Sequence, residues 1–235
     1  MKIIALIPAR GGSKGIKNKN LVKINNKSLV LHSIEHALNS KSIDRVIVST
    51  DSEKIAKLSQ DNGAEVPFMR PHELAEDNVL DLPVFEHALN FLGSKEKYSC
   101  DIVVHLRPTA PYREVNWIDE AVKKLIDNPK ADSVRSVSLV EQHPYRVFEI
   151  GENNFLLPLL GERHPEPYLL RRQDLPKMYY YNCVIDVTRS NTIFNKSSMT
   201  GNRILPYIID SNKVYDIDSL NDLQIARLLL DNSNN

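Results

Sequence analysis

The densest chemistry in this chain lies close to its N-terminus, where an apolar run, residues 3–7, opens into Pro8-Ala9-Arg10-Gly11-Gly12-Ser13-Lys14-Gly15-Ile16-Lys17-Asn18-Lys19-Asn20. Gly11, Gly12 and Gly15 let the backbone turn sharply and present amide N–H groups to an anion, while Arg10, Lys14, Lys17 and Lys19 bring positive charge to the same few residues. That combination suits a triphosphate. The other use of such a segment is a solvated basic turn, but this many cations and glycines at one strand end seldom serve structure alone.

Two familiar phosphate motifs do not fit. A P-loop places Lys-Ser or Lys-Thr after its last glycine, whereas here Ser13-Lys14 precedes Gly15, and the spacing Gly11-Gly12-Ser13-Lys14-Gly15 is not the dinucleotide fingerprint. An ATPase of that type and a nicotinamide enzyme are both disfavoured.

Such a loop needs a frame. Apolar runs of strand length recur at residues 3–7, 45–49, 102–106, 133–139 and 181–187, and helical spacing of apolar residues appears at 28–39, 52–62, 82–92, 115–127 and 219–230. Strands alternating with helices, the strands almost wholly apolar, predict an α/β fold: a nucleotide-binding domain over 1–235 with a mainly parallel sheet flanked by helices. The loop after the first strand of such a sheet lies at its carboxyl edge, where ligands bind. Residues 147–160 read instead as a hairpin around Gly151-Glu152-Asn153-Asn154, and proline and charge fill 164–176. An insertion at about 141–178 could therefore protrude and pair with another subunit. The polar tail, residues 231–235, is expected to fray.

Bulk composition narrows the function classes. Lysine plus arginine and aspartate plus glutamate each total 30, so there is no global basic field to hold nucleic acid or an anionic membrane, and anion binding must be local. With 42% hydrophobic residues the chain can bury one large core. Cys100 and Cys183 lack neighbours at metal-ligand spacing and sit in apolar runs, which predicts buried thiols rather than zinc or a disulfide. The opening apolar run is too short for a secretion signal or a membrane span, so the cytoplasm is the expected location.

Ile7-Pro8-Ala9-Arg10-Gly11-Gly12-Ser13-Lys14-Gly15 with Lys19-Asn20-Leu21 resembles the opening signature of the CMP-acylneuraminate cytidylyltransferases, the CMP-sialic acid synthetases. The resemblance continues in order through Val48-Ser49-Thr50-Asp51, Arg70-Pro71 with Glu73-Leu74-Ala75 and Asp77, Pro108-Thr109-Ala110-Pro111 with Arg113, His143-Pro144, Arg172-Gln173 with Leu175-Pro176, and Asp216-Ile217-Asp218. It implies that CTP is held by Ala9, Arg10, Gly11, Gly12, Ser13, Lys14, Lys19 and Asn20, with Arg70, Asp77 and Asp81 in the nucleotide region. It further implies that Asp216 and Asp218 bind Mg²⁺, that Arg10, Lys14, Asp216 and Asp218 form the catalytic set, and that the partners are CTP, an acidic sugar and a second copy of the chain. The sugar side would comprise Arg107, Thr109, Arg172, Gln173 and Asn182, with Arg146 standing where relatives can have a lysine that reaches the sugar site of the neighbouring subunit.

Elementary chemistry agrees with these roles. Magnesium takes one or two carboxylates plus phosphate oxygens and water, and two aspartates two apart in an extended stretch point to one side. The other reading of Asp216 and Asp218 is a capping turn before the helix that starts near Ser219. A fork-shaped guanidinium suits the sugar carboxylate, the case for Arg172, although a surface ion pair is the alternative and Arg171 leaves the register open by one. Asn182 could face the sugar or satisfy a buried backbone group.

Departures from the family pattern bear on the sugar. Arg107 stands where relatives commonly have glutamine, Asp81 where they have serine, Cys183 where many have glycine, and Asp186 where a tyrosine can occur. Of the run Tyr179-Tyr180-Tyr181, at most two can line a pocket, and the third is expected in the core. His105 and His143 are expected to be structural. The expected reaction is Mg²⁺-dependent transfer of CMP from CTP to the anomeric hydroxyl of a nonulosonic acid. An enzyme for a 3-deoxy-octulosonate or another acidic sugar is the near alternative, and a non-catalytic nucleotide-binding module the distant one.

Overall fold

The computed structural model describes residues 1–231. In chain order the elements are β1 (Ile3–Pro8), β2 (Lys23–Ile24), β3 (Lys27–Ser28), α1 (Leu29–Leu38), β4 (Arg45–Ser49), α2 (Glu53–Asp61), α3 (Asp81–Lys95), β5 (Ile102–His105) and α4 (Trp117–Ile126). There follow β6 (Ser133–Leu139), β7 (Phe148–Ile150), β8 (Leu156–Pro158), β9 (Tyr179–Arg189), α5 (Ser190–Lys196), β10 (Ile204–Ile208) and α6 (Leu220–Asp231). The expected fraying of 231–235 lies, beyond the end of α6, outside the described residues.

Six strands form one sheet in the order β10-β6-β9-β5-β1-β4. All pairings are parallel except those of β9, which runs antiparallel to both β5 and β6. The sheet is therefore mainly parallel, as the alternation of elements predicts, with a single reversed strand.

Period-two alternation sends the apolar residues of β1 to both faces. Ile3, Ala5 and Ile7 pack with Val30, Ile34 and Ala37 of α1 and with Ile118, Ala121 and Val122 of α4, while Ile4 and Leu6 pack with Phe85, Ala88, Leu89 and Leu92 of α3. Burial on both faces is why these strands carry so few polar residues. A third cluster unites Ile16 of the glycine loop, Ile24, Leu29, Ile217, and Leu223, Ala226 and Leu230 of α6. It clamps the two ends of the chain together.

The expected hairpin is present as β7 and β8, paired antiparallel with Gly151–Asn154 between them. Ile150, Phe155, Leu156 and Leu157 are exposed on it. Four elements are absent from the sequence expectation. β10 contains Pro206, which disguises it, and a proline is tolerated there because β10 is an edge strand. α5, with 7 residues, is too short for a periodic signal, and β2 and β3 have 2 residues each.

Two expectations are corrected. No tyrosine of the run packs in the core: Tyr179 and Tyr180 are exposed and Tyr181 is half-buried. The reason is that β5 ends opposite Asp186, so the first residues of β9 pair with β6 alone and overhang the core. Cys183 is only partly buried, on an irregularity of β9 where its φ is 61°, while Cys100 is buried as expected.

Candidate active site

The parallel strands β1, β4 and β5 end at one edge of the sheet, and the loops leaving them enclose a cleft of about 260 Å³. Its walls include Arg10, Gly12, Ser13, Lys19, Asn20, Arg70, Asp77, Asp81, Arg107 and Thr109. Lys14 lies in the adjoining depression with Gly12, Asp51 and Asp77. Residues from the first and third apolar strands and from the start of α3 are thus gathered at one place.

The loop is pinned from several sides. Ala9 donates its N–H to the Ser49 carbonyl at 2.9 Å, Gly11 donates to Asp51 Oδ1 at 2.7 Å, and the buried Asn20 amide donates to the Arg10 carbonyl at 2.9 Å. Arg70, 6% exposed, holds the end of β4 through Nε to Ser49 Oγ and Nη2 to Ser49 O. Burial pushes its guanidinium down to about 10, with Asp51 opposing that shift, and it stays protonated at neutral pH. Asp51 was quoted in the sequence only as part of a motif; its carboxylate has a specific task as acceptor of the loop amide.

Three of the loop's four cations, Arg10, Lys14 and Lys19, already have carboxylate partners. Arg10 and Lys14 share Asp77, at 2.7 and 2.9 Å, and both hold its pKa below the usual carboxylate value, Lys14 more strongly. Lys19 donates to Asp218 Oδ1 at 2.9 Å and to the Ile217 carbonyl at 3.1 Å.

Ile217 explains how the two ends meet. It is fully buried against Ile16, and its N–H is bonded to the Thr109 carbonyl at 2.9 Å, so Asp216 and Asp218 flank a fixed anchor beside the loop. The capping alternative is taken by other residues: Ser219 and Asp222 cap α6, with Asp222 Oδ2 accepting from the N–H groups of Asp218 and Ser219. Asp216 has its carboxyl pKa raised, first by burial and then by the nearby Asp218 charge, while a Thr109 bond and Lys19 oppose the shift. A cation would relieve that repulsion. Among the described residues no set of three or more metal-ligating side chains is assembled, so a metal here would need phosphate oxygens and water to complete its shell, which is how Mg²⁺ binds nucleotides.

Four expected sugar residues are not in the cleft wall. Arg146 donates to the Leu170 carbonyl at 2.9 Å, and Arg172 and Gln173 are exposed, all three on the segment that carries the hairpin. The surface ion pair belongs to Arg171, with Asp174 at 2.7 Å, and Arg172 has no ion-pair partner among the described residues. Asn182 is buried: its Oδ1 accepts from Ser136 Oγ and its Nδ2 donates to Ser138 Oγ, so its amide ties β9 to β6. Its Oδ1 also accepts from the Val184 N–H at 3.3 Å, the backbone-supporting use left open in the sequence.

Behind the cleft, Arg113 donates to the carbonyls of Arg107, Ala110 and Val184 and so fixes the loop after β5. Burial pushes its guanidinium down to about 9. His105 is buried and has no hydrogen bond among the described residues; burial, then Arg107, Arg113 and Arg135, hold its pKa well below the usual value. A base held neutral in this way has no bonded partner to relay a proton. His143 caps a turn, accepting from the Tyr145 N–H, and its Nε2 reaches the Pro176 carbonyl, a structural tie. Arg135, absent from the sequence expectation, and Tyr181 of the tyrosine run join Arg107 around Asp186. An arginine among the serines and valines of β6 was the one available signal for Arg135.

The chain matches the cytidylyltransferase family model over residues 4–203. A pseudaminic acid cytidylyltransferase of Campylobacter jejuni subsp. jejuni is 32% identical over 229 residues, covering 97% of this chain and 96% of its own. A CMP-N,N'-diacetyllegionaminic acid synthase of the same subspecies is 33% identical over 231 residues, covering 97% and 95%. Among solved structures, a CMP:2-keto-3-deoxy-manno-octonic acid synthetase complexed with CTP superposes with a TM-score of 0.73 over 99% of this chain and 100% of its own, at 17% identity, a likeness of fold.

Proposed function

The chain belongs to the cytidylyltransferase family of nucleotidyltransferases, and from that premise we propose that it transfers CMP from CTP to the anomeric C2 hydroxyl of a nonulosonic acid. The hydroxyl oxygen attacks the α-phosphorus in line, a new O–P bond forms, the α–β bridging P–O bond breaks, and pyrophosphate leaves while the hydroxyl proton passes to solvent. The observation that carries this reading is the junction of Lys19, Ile217 and Asp218, which sets the cationic glycine loop against the acidic C-terminal segment.

Little covalent work falls to the protein. Arg10, Lys14 and the loop amides would receive the phosphates, displacing Asp77 from the two cations, and Ser13 and Asn20 would line the same cleft. Asp216 and Asp218 would hold Mg²⁺, which when bound neutralises charge on the phosphate oxygens. Arg172, exposed and outside any ion pair among the described residues, would take the sugar carboxylate, bringing the segment around the hairpin into the acceptor site. The apolar hairpin residues Phe155 and Leu157 supply the surface for the proposed homodimer.

Purified protein with CTP and Mg²⁺ is offered pseudaminic, legionaminic, N-acetylneuraminic and 3-deoxy-octulosonic acids, and pyrophosphate and CMP-sugar are measured. One pyrophosphate per CMP-sugar with a nine-carbon acid is expected. Release only with the eight-carbon acid moves the substrate class, and CTP binding without release from any acid refutes the transferase reading. Arg172→Ala should raise KM for the acid far more than for CTP; equal effects on both remove its assignment.

A further inference from the structure

Asp81, Arg107 and Asp186 are scattered in sequence but form one ion-pair network. Arg107 lies in the cleft wall and gives Nη2 to Asp81 at 2.7 Å and Nη1 to Asp186 at 2.8 Å. Asp186, 3% exposed, also accepts from Arg135 Nε at 2.9 Å and from the Tyr181 hydroxyl, and the Arg135 guanidinium stacks 3.9 Å from the centre of the Tyr181 ring. The network spans the start of α3, the end of β5, β6 and β9.

Two guanidiniums meet two carboxylates, so the formal charges cancel, and the neutral His105, 3.9 Å from Asp81 and 4.0 Å from Asp186, adds none. Burial works against the Arg107 charge, but Asp186, Tyr181 and Asp81 more than restore it. For Arg107 to serve as counter-ion to a substrate carboxylate it would have to give up one of its two aspartates; the buried Asp186 would then keep only Arg135 as its cation, with the Tyr181 hydroxyl, and losing one of two charge partners there is unfavourable. It still has N–H donors beyond the two engaged, and an arginine can only donate.

We propose that Asp186 is a positioning residue and that the Asp81–Arg107–Asp186 network is a charge-cancelled specificity wall of the acceptor site, reading an uncharged, acceptor-bearing substituent of the sugar such as a hydroxyl or acylamino carbonyl. This rests on the acceptor being an acidic sugar. The carboxylate itself is left to another cation, and an acceptor bearing an ammonium group in place of acylamino is disfavoured because the wall offers it no net negative charge.

The test changes the wall's charge in both directions. Arg107→Gln leaves it at net −1, and Asp186→Asn leaves it at net +1. Wild type and both variants are assayed by pyrophosphate release with pseudaminic and N-acetylneuraminic acids, each N-acylated and with one acyl group removed to leave an ammonium. Expected are a rise of about tenfold or more in KM for the acylated acid in both variants, with KM for CTP within about twofold, as for loss of a polar contact made to the acceptor alone. The ratio of kcat/KM for ammonium over acylated substrate should rise severalfold in Arg107→Gln and fall in Asp186→Asn. If Asp186→Asn fails to fold by circular dichroism, Asp81→Asn, at a partly exposed site, carries the same net +1 and the same expected fall in the ammonium preference. Parallel losses for both substrates, or an unchanged ammonium preference in an active enzyme, overturn the network and leave the transferase reading intact. A wild type inactive with every acid overturns both.

Discussion

Replacing Gly15 by alanine tests whether the glycine loop and the acidic segment form one rigid unit. A Cβ at position 15 would lie 2.7 Å from the Asp218 carbonyl oxygen, a backbone atom that cannot swing aside as a side-chain tip can. To reach ordinary contact, loop and segment must part by roughly 0.7 Å, against the packing of the buried neighbours Ile16 and Ile217. Such overpacking costs about 1–3 kcal/mol, which for a chain of this size lowers the melting temperature by about 3–9 °C. Since a displacement of about 1 Å at a reacting centre can cost about 100-fold, kcat should fall by about tenfold. Gly12→Ala is the counterpart, because a Cβ there meets nothing within 4 Å and faces open space beside the cleft. It should leave the melting temperature unchanged and raise KM for CTP. The assays are calorimetric melting and pyrophosphate release at saturating CTP. A Gly15→Ala protein that melts with wild type and keeps kcat within about threefold would show that the two segments do not act together, and the proposed catalytic unit would fall with it.

Asp218→Asn keeps the shape but removes a charge from the pair beside Lys19; turnover should fall by about 30-fold or more and the Mg²⁺ needed for half-maximal rate should rise, whereas unchanged Mg²⁺ dependence would dissociate Asp218 from the metal. Acid should destabilise the fold from neutral pH downward. His32, His36, His87 and His105 have lowered pKa values, all chiefly through burial, and that of His36 is pushed down to about 2. The unfolded chain therefore binds more protons below about pH 6.5, stability is full above that value, and His36 alone should remove about 1 kcal/mol between pH 7 and 5.5. A urea midpoint that stays flat over that interval would contradict the burial argument. Lysine at Phe155 and Leu157 together should convert the proposed dimer to monomer in sedimentation equilibrium; an unchanged mass places the subunit contact elsewhere.

Local patterning in the sequence was enough for the α/β class, the five strands with apolar or mixed runs, the five longer helices, the hairpin and the glycine loop. Each depends on residues that are neighbours along the chain: a period of two or 3.6, a glycine cluster, a turn tetrapeptide. The reversed direction of β9, the edge strand β10 and the exposure of Tyr179 and Tyr180 depend instead on where β5 stops and what lies beside it, which no local period encodes. The same division holds in the site. Arg10 and Lys14 could be singled out from residue type and spacing, and the aspartate pair from the family resemblance, but not that Ile16 and Ile217 weld loop to segment, that Asp77 occupies both cations, or that Asn182 serves the sheet. Asp81, Arg107 and Asp186 looked like three separate departures. Their charges became one neutral assembly only through the fold, because an ion pair forms through a few ångströms of space, however far apart its members stand along the chain.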